Sequence, residues 1–250
     1  MIRGLYIASS GLISRQIQQE NLSNNIANIN NPGFKNDKIC FKSFNEVLLQ
    51  NYDKKVGNTN FKQILGTMPM GIGIDETKTD FSQGILEETG RNLDFAIEGD
   101  GFFTVLDNNK EYYTRNGRFK IDKDGYLTTT DNKRVIGVNE NNQKVFIKID
   151  SNNFKFNNNQ INTTNGNYRL YIVKGDMKKE NENMYSSTNV EIDNNSIIHQ
   201  NKIEKANIDT IEMITELIKV MRNYESNQKV IQSIDDTLGK TVNEVGNVNR

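Results

Sequence analysis

Two side chains have the chemistry of a nucleophile and its base: Cys40 and His199, the one cysteine and the one histidine of the sequence. A thiolate activated by an imidazole attacks carbonyl carbon, but single copies with no local motif around them read as a buried thiol and a polar residue beside a strand. One cysteine also excludes an intramolecular disulfide and any cysteine-based zinc cluster. Gly71-Ile72-Gly73 and Gly99-Asp100-Gly101 each begin a G-x-G, yet Glu76 and Thr104 stand where the third glycine of a dinucleotide fingerprint belongs, and no convincing helix follows either. Asp122, Asp124 and Gly125 imitate part of a calcium loop, but Lys120 occupies the first ligand position; Asp124-Gly125 is better read as a hairpin turn. Paired carboxylates such as Glu87-Glu88 arise readily in a chain with 32 acidic residues. No catalytic, cofactor or metal site is assigned, and the expectation is a protein that is not an enzyme.

With no site to position, the elements themselves must carry the function. Residues from about Leu5 to Ile29 bear an apolar seam of Leu5, Ala8, Leu12, Leu22, Ile26 and Ile29. A longer one runs from about Asp209 to Val245, where Leu217, Tyr224, Ile231, Leu238 and Val245 fall seven apart. The first helix is stopped by Asn30-Asn31-Pro32-Gly33. The second is opened by Asp209 with Glu212 three residues on, a capping-box pattern, with Asn207 as an alternative cap. A helix of some 35 residues is roughly 50 Å long at 1.5 Å per residue, which favours a coiled-coil or bundle role.

Between the helices the pattern is β. Phe34 to Leu49 reads as a short amphipathic connector with Phe41, Phe44, Val47 and Leu48, Gln50 to Gly66 as a polar exposed loop, and Gly66 to Gly73 as the entry to a central domain. Leu93, Phe95 and Ile97 alternate with polar neighbours or alanine; Phe102 to Leu106, Phe119 to Ile121, Tyr126-Leu127, Val135 to Val138, Val145 to Ile149 and Tyr168 to Val173 follow as short strands. Asn116-Gly117 and Asp124-Gly125 are hairpin signals, and Ser151 to Asn167 reads as looping. The expected fold is α+β: N- and C-terminal helices paired in a coiled-coil-like stalk, with a central antiparallel β domain. The expected divisions are a first stalk helix over 1–33, a connector over 34–75, the β domain over 76–190, and a return segment with the long stalk helix over 191–250.

The composition is hydrophilic, with 35% hydrophobic residues and a mean hydropathy of -0.69. A net charge of -1 leaves no electrostatic footprint for nucleic acid or an anionic membrane. No run of about 18 apolar residues is present, and the N-terminus lacks a basic flank followed by a continuous apolar stretch, so neither a spanning helix nor a cleavable signal is read. The abundance of asparagine is read as coding-DNA composition. The seams decide more. About 25 residues facing about 35 leave part of the longer helix uncovered, and burying one Ile or Leu contributes about 1.5–3 kcal/mol against about 1.5 kcal/mol per ordered residue. A two-helix stalk is marginal alone, and neighbouring subunits are the natural remedy.

Specific residues on these elements resemble the flagellar basal-body rod and hook family, closest to its FlgF/FlgG-type rod proteins. At the N-terminus these are Leu5-Tyr6, Ser10-Gly11-Leu12, Asn24-Asn25-Ile26-Ala27-Asn28 and Gly33-Phe34-Lys35. The centre contributes Leu93-Asp94-Phe95-Ala96-Ile97-Glu98-Gly99-Asp100-Gly101-Phe102-Phe103, Tyr113-Thr114-Arg115-Asn116-Gly117, Asp124-Gly125-Tyr126-Leu127 and Val135-Ile136-Gly137. The C-terminal part is Asn207-Ile208, Glu212-Met213, Met221-Arg222, Tyr224-Glu225, Asn227, Lys229-Val230-Ile231 and Leu238. The resemblance covers nearly the whole chain. Asn201 stands where that family usually has glycine, and asparagine tolerates a left-handed backbone better than most residues.

What the resemblance implies is a structural subunit of the bacterial flagellar basal-body rod. Such subunits pair their terminal helices in the inner layer of a hollow drive shaft that links motor to hook, with the β domain outside. It also implies export through the flagellar type III apparatus without a cleavable signal, an extracytoplasmic place, and partnership with copies of itself and other rod and hook subunits. The alternative is an extracytoplasmic cell-wall glycan-binding module that dimerises through its helices. The expected subunit-packing residues are Leu5, Ser10, Gly11, Leu12, Asn24, Asn25, Ile26, Asn28, Leu217, Met221, Tyr224, Ile231 and Leu238. Asparagine is a poor helix former, so the amides of Asn24 and Asn25 are expected to bond across packed helices and fix register, while Asn28 is split between that role and helix-end fraying. Gly11 costs about 1 kcal/mol inside a helix, which close helix approach explains. Gly99, Gly101, Gly117 and Gly125 are expected at β-domain turns.

Overall fold

Apolar residues at helical spacing near both termini become two helices in the computed structural model: α1 (Ile2–Ala27) and α2 (Thr210–Gly246). The structure describes residues 2–43, 46–56, 59–149, 154–157, 159–163, 166–181, 183–193 and 195–246. Phe44 of the expected connector, Asn158 and parts of the 151–167 stretch lie outside the described residues, as does the side chain of Val245. The chain forms two units. One comprises Met1–Ile26, Asp37–Lys78 and Thr210–Arg250; the other comprises Ala27–Asn36 and Thr79–Asp209.

In the first unit the helices run antiparallel. A Cβ on Gly4 would stand 3.6 Å from Ile234 Cδ1, one on Gly11 3.0 Å from Asn227 Nδ2, and Gln18 Nε2 donates to Glu216 Oε1 at 3.1 Å, so α2 descends as α1 rises. Four strands accompany them: β1 (Asp37–Ser43), β2 (Glu46–Val56), β3 (Thr59–Pro69) and β4 (Ile72–Thr79). β1 pairs with β4, and β2 forms an antiparallel hairpin with β3 that shifts register twice. This corrects the exposed loop expected over Gln50 to Gly66. The polar run is a two-stranded ribbon paired through its backbone ladder, and its sequence carries no apolar alternation to signal it. The Gly57-Asn58 dipeptide between the strands is a two-residue turn signature that would have marked it.

The second unit is antiparallel β. It opens with β5 (Leu86–Glu88), β6 (Phe95–Glu98), β7 (Phe102–Asp107), β8 (Lys110–Thr114), β9 (Phe119–Ile121), β10 (Leu127–Thr129) and β11 (Arg134–Val138). β7 lies in the middle of the largest sheet. One edge pairs with β8, and the other pairs in succession with strand Ile172–Gly175 and with β11. Both faces of β7 are buried, because Phe103 and Val105 enter one core with Phe95, Phe119, Leu127 and Val135, while Phe102 enters a second with Tyr113, Val173 and Tyr185. The return segment closes this unit: strand Ile197–Gln200 pairs with β6, and strand Lys202–Glu204 pairs with β5.

Turn chemistry follows the backbone. β9 and β10 meet at Asp122 to Gly125, where Gly125 N donates to Asp122 O at 2.9 Å and φ is 82°. Among the described residues, every non-glycine with positive φ is an asparagine: Asn108, Asn109, Asn132, Asn142, Asn159 and Asn201. Asn201 takes φ 61° between the two returning strands, the left-handed conformation expected where the resembling family has glycine. Gly117 differs from expectation. It is not at a hairpin turn, and its φ is not in the left-handed region; instead, any Cβ there would overlap the Phe95 carbonyl, whose own N–H bonds Gly117 O at 3.0 Å. Gly101 lies in the connection between β6 and β7, where a Cβ would collide with Ile172. Gly117→Ala therefore forces rigid backbone apart. It should lower stability by about 1–3 kcal/mol, read as a reduced urea midpoint with an unchanged denaturant slope.

Candidate assembly surface

On α2 the residues that lose exposure recur at alternating intervals of four and three: Met213, Leu217, Val220, Tyr224, Asn227, Ile231, Ile234 and Leu238. Leu217, Tyr224, Ile231 and Leu238 were visible as a sevenfold repeat. Their interleaved partners were missed, because Asn227 interrupts the apolar series. This seam meets α1. The close approach at Gly11 leaves room for Asn227 and no more, which is the physical reason for a glycine in mid-helix. Leu5, Ser10, Gly11, Leu12 and Ile26 are half-buried on α1.

Two serines of α1, Ser10 and Ser14, reach a neighbouring strand. Ser10 Oγ donates to its own Ile7 O at 2.9 Å and accepts from Ile72 N at 3.4 Å, and Ser14 Oγ donates to Ile72 O at 3.2 Å. A Cβ on Gly71, at φ 151°, would collide with Ser10 Oγ. Asn25 also reaches a strand. Its side chain is 1% exposed, its Nδ2 donates to Asp37 O at 2.9 Å and to Asn21 Oδ1 at 3.2 Å, and its Oδ1 accepts from Asp37 N at 3.2 Å. The amide thus pairs with Asp37 as one strand residue pairs with another and holds the start of β1 against α1. Asn24 is exposed. Asn28 is buried, accepting from Asn31 Nδ2 at 2.5 Å in the turn that ends α1.

Outside the seam, α2 carries a second apolar stripe. Ile211, Ile214, Ile218 and Met221 recur at spacings of three and four, and their exposures run from 44% at Ile214 and Met221 to 79% at Ile211. At 100° per residue this stripe lies roughly 120° around the helix from the seam. On α1, Tyr6 and Ile13 are likewise exposed, one heptad apart. Beyond Leu238 the seam position Val242 is 69% exposed, where the longer helix outruns the shorter. Exposed apolar residues in a row of this kind are uncommon on a protein surface and mark it for contact with something else.

In the β unit, the motif residues Gly33, Lys35 and Arg115 converge on Glu204, a residue to which the sequence reading gave no role. Lys35 Nζ donates to Glu204 Oε1 at 2.6 Å and to Ser82 O at 2.7 Å, and Arg115 Nη1 reaches Glu204 Oε2 at 3.2 Å while Nη2 donates to Gly99 O at 2.6 Å. All three charged side chains are at most 1% exposed. Gly33 N donates to Glu204 O at 2.7 Å and Gly84 N to Glu204 Oε1 at 2.9 Å. Gly33 has φ 72°, and any Cβ there would overlap the Arg115–Asn116 peptide. Arg115 lies over the Phe102 ring at 4.8 Å, and its Nε is buried without a hydrogen-bond partner. Burial pushes the Lys35 ammonium below the ordinary lysine range, against the opposing pull of Glu204. Asn207, the alternative helix cap of the sequence reading, is used here too: it accepts from Asn36 N at 2.8 Å and donates to Asp80 O at 2.7 Å.

The residues first considered for chemistry are placed otherwise. Cys40 is half-buried on β1, and His199 Nε2 lies 2.6 Å from a Glu98 carboxylate oxygen on neighbouring strands. Among the described residues no group of three or more His, Cys, Asp or Glu side chains is arranged to hold a metal.

Three family descriptions match along the chain: "Flagella basal body rod protein" over residues 5–35, "Flagellar hook protein FlgE/F/G D1 domain" over 96–164, and "Flagellar basal body rod FlgEFG protein C-terminal" over 199–244. The flagellar basal-body rod protein FlgG of Bacillus subtilis is 30% identical over 268 residues, spanning 97% of this chain and 99% of that protein. The flagellar hook-basal body complex protein FlhO of the same organism is 29% identical across 99% of this chain and 100% of its own length. The flagellar hook protein FlgE of Treponema pallidum is 33% identical over 120 residues, which is 25% of that protein. The site residues that these matches span include Asn25, whose bonds make a definite expectation. Asn25→Leu removes a buried amide bonded to both backbone groups of Asp37, which should cost about 1–3 kcal/mol. It should appear as a lowered thermal midpoint of the dilute subunit, before any assembly.

Proposed function

The chain belongs to the flagellar basal-body rod protein family, and from that membership we infer that it works as a structural subunit of the rod. It builds the shaft by associating with other rod and hook subunits. The observation that carries the reading is the helix pair itself: one seam is satisfied within the subunit, and a second stripe on α2, with Tyr6 and Ile13 on α1, is left for partners. Identical subunits whose contacts join two different surfaces generate an open helical polymer rather than a closed ring, and a hollow shaft is such a polymer. We assign packing between subunits to the α1 and α2 residues named from the sequence that stay outside the intramolecular bonds, Met221 foremost. Asn25 and Gly11 then act by shaping the subunit.

The remaining features fit the same proposal. No helix among the described residues is long and apolar enough to cross a membrane. Passage through the flagellar type III apparatus without a cleavable signal, a place in the extracytoplasmic part of the basal body, and a mechanical rather than catalytic role complete it. The first test is deletion of the gene followed by electron microscopy of basal bodies; rods that remain whole and functional overturn the assignment. The second places a charge on the stripe. Ile214→Glu and Met221→Glu should leave the circular dichroism and melting of the purified subunit within about 0.5 kcal/mol of the parent, as exposed substitutions do, and should abolish motility. Swimming at the parental rate would show that this stripe is not a subunit contact.

A further inference from the structure

The segment Ile203 to Asn207 reaches three stretches of chain made long before it. Glu204 takes up Lys35 and Arg115 and the amides of Gly33 and Gly84; Lys205 N donates to Ile85 O at 2.9 Å; Asn207 takes the amide of Asn36 and donates to the carbonyls of Asp80 and Ser82. The Lys35–Glu204 bond spans 169 positions and the Arg115–Glu204 bond 89. The Nζ of Lys35 and the guanidinium of Arg115 are sealed from water in the closed unit. Before residue 204 is in place, closing the β unit would bury two cations without the one carboxylate that bonds both, leaving Lys35 only the more distant charge of Asp80, a state disfavoured by about a hundredfold or more. The same return segment supplies Ile198 to the main core and a strand each to β5 and β6, so nothing earlier in the chain substitutes for it.

We propose that Glu204 is a closure gate: the Lys35–Arg115–Glu204 cluster makes the β unit wait for the last fifth of the chain and so keeps incomplete or threading chains open. The cations are the brake and the carboxylate is its release. An apolar cluster of the same volume would let the first strands collapse without the return segment, because apolar side chains need no particular partner. The inference stands on this geometry and not on the rod assignment. That assignment adds only a use for the delay, in a chain that is passed unfolded to its place of assembly.

Stopped-flow refolding and unfolding of the full chain in urea, at dilution that prevents association, separates a gate from a mere stabiliser. Glu204→Gln should slow refolding at least tenfold while changing unfolding by less than twofold. A gate must be formed when the barrier is crossed, so an unchanged refolding rate with faster unfolding overturns the proposal. If Glu204→Gln does not fold, Glu204→Asp keeps the charge and shortens the reach, and its loss must again fall on the refolding arm. The triple variant Lys35→Met, Arg115→Leu, Glu204→Leu removes brake and release together and should refold at least as fast as the parent. Refolding of this variant as slow as that of Glu204→Gln would equally reject the cluster as the source of the delay.

Discussion

The carboxylate of Glu204 lies out of water between an ammonium and a guanidinium, and the β unit is organised around that burial. Ion clusters in an interior repay little of their desolvation in net stability, but they punish any arrangement that leaves one member without its partners. Here the partners of Glu204 come from three earlier stretches of sequence, so the cluster ties all three to the return segment in one mutual placement. Its neighbours show the same constraint. Gly33 is left-handed because its amide must reach the Glu204 carbonyl while its α-carbon presses on the Arg115–Asn116 peptide. Arg115 spends its second amino group on the Gly99 carbonyl and its π face on Phe102, which fixes the turn entering the central strand.

The helix unit follows a different logic, in which specificity comes from size rather than charge. Gly4 and Gly11 bring α1 close to α2 where Ile234 and Asn227 face them. Asn227 in an otherwise apolar seam is tolerated because its neighbour is a glycine and not a leucine. Ser10 and Ser14 do for β4 what the glycines do for α2, letting backbone come near while satisfying one of its polar groups each. Apolar side chains left over from these contacts collect on a separate face of α2. One helix thus carries two apolar faces of different standing: one packs within the subunit, and the other stays exposed on it.

Much of this was open to reading from the sequence. Apolar seams, sevenfold in the second, locate both helices, and Gly-punctuated short strands locate the β unit and its antiparallel character. Asn201 was flagged as a stand-in for glycine, and it adopts the backbone that glycine would. The misreadings have specific causes. The 46–69 ribbon lacks alternation, so polar composition was read as loop. Asn25 lies on a helix, and nothing in its neighbours announces that its amide copies a strand and bonds to one. Gly117 follows an asparagine, which imitates a turn, while the real demand is the space taken by the Phe95 carbonyl. Glu204 was invisible because nothing local distinguishes one glutamate among many; only the pairing of Lys35 and Arg115 in space reveals that an acid must stand between them.

Neither unit is a single stretch of sequence. The chain passes between them at 26/27, 36/37, 78/79 and 209/210, so each is assembled from pieces that are separated in the gene. A recombination event with one breakpoint between residues 27 and 209 therefore divides both units and carries a whole of neither. Descent in such an architecture favours growth by insertion into loops inside a piece, where the flanking ends are already held together, over the exchange of cassettes. Its history is expected to be written as lengthened hairpins and enlarged turns upon a fixed pair of chain ends.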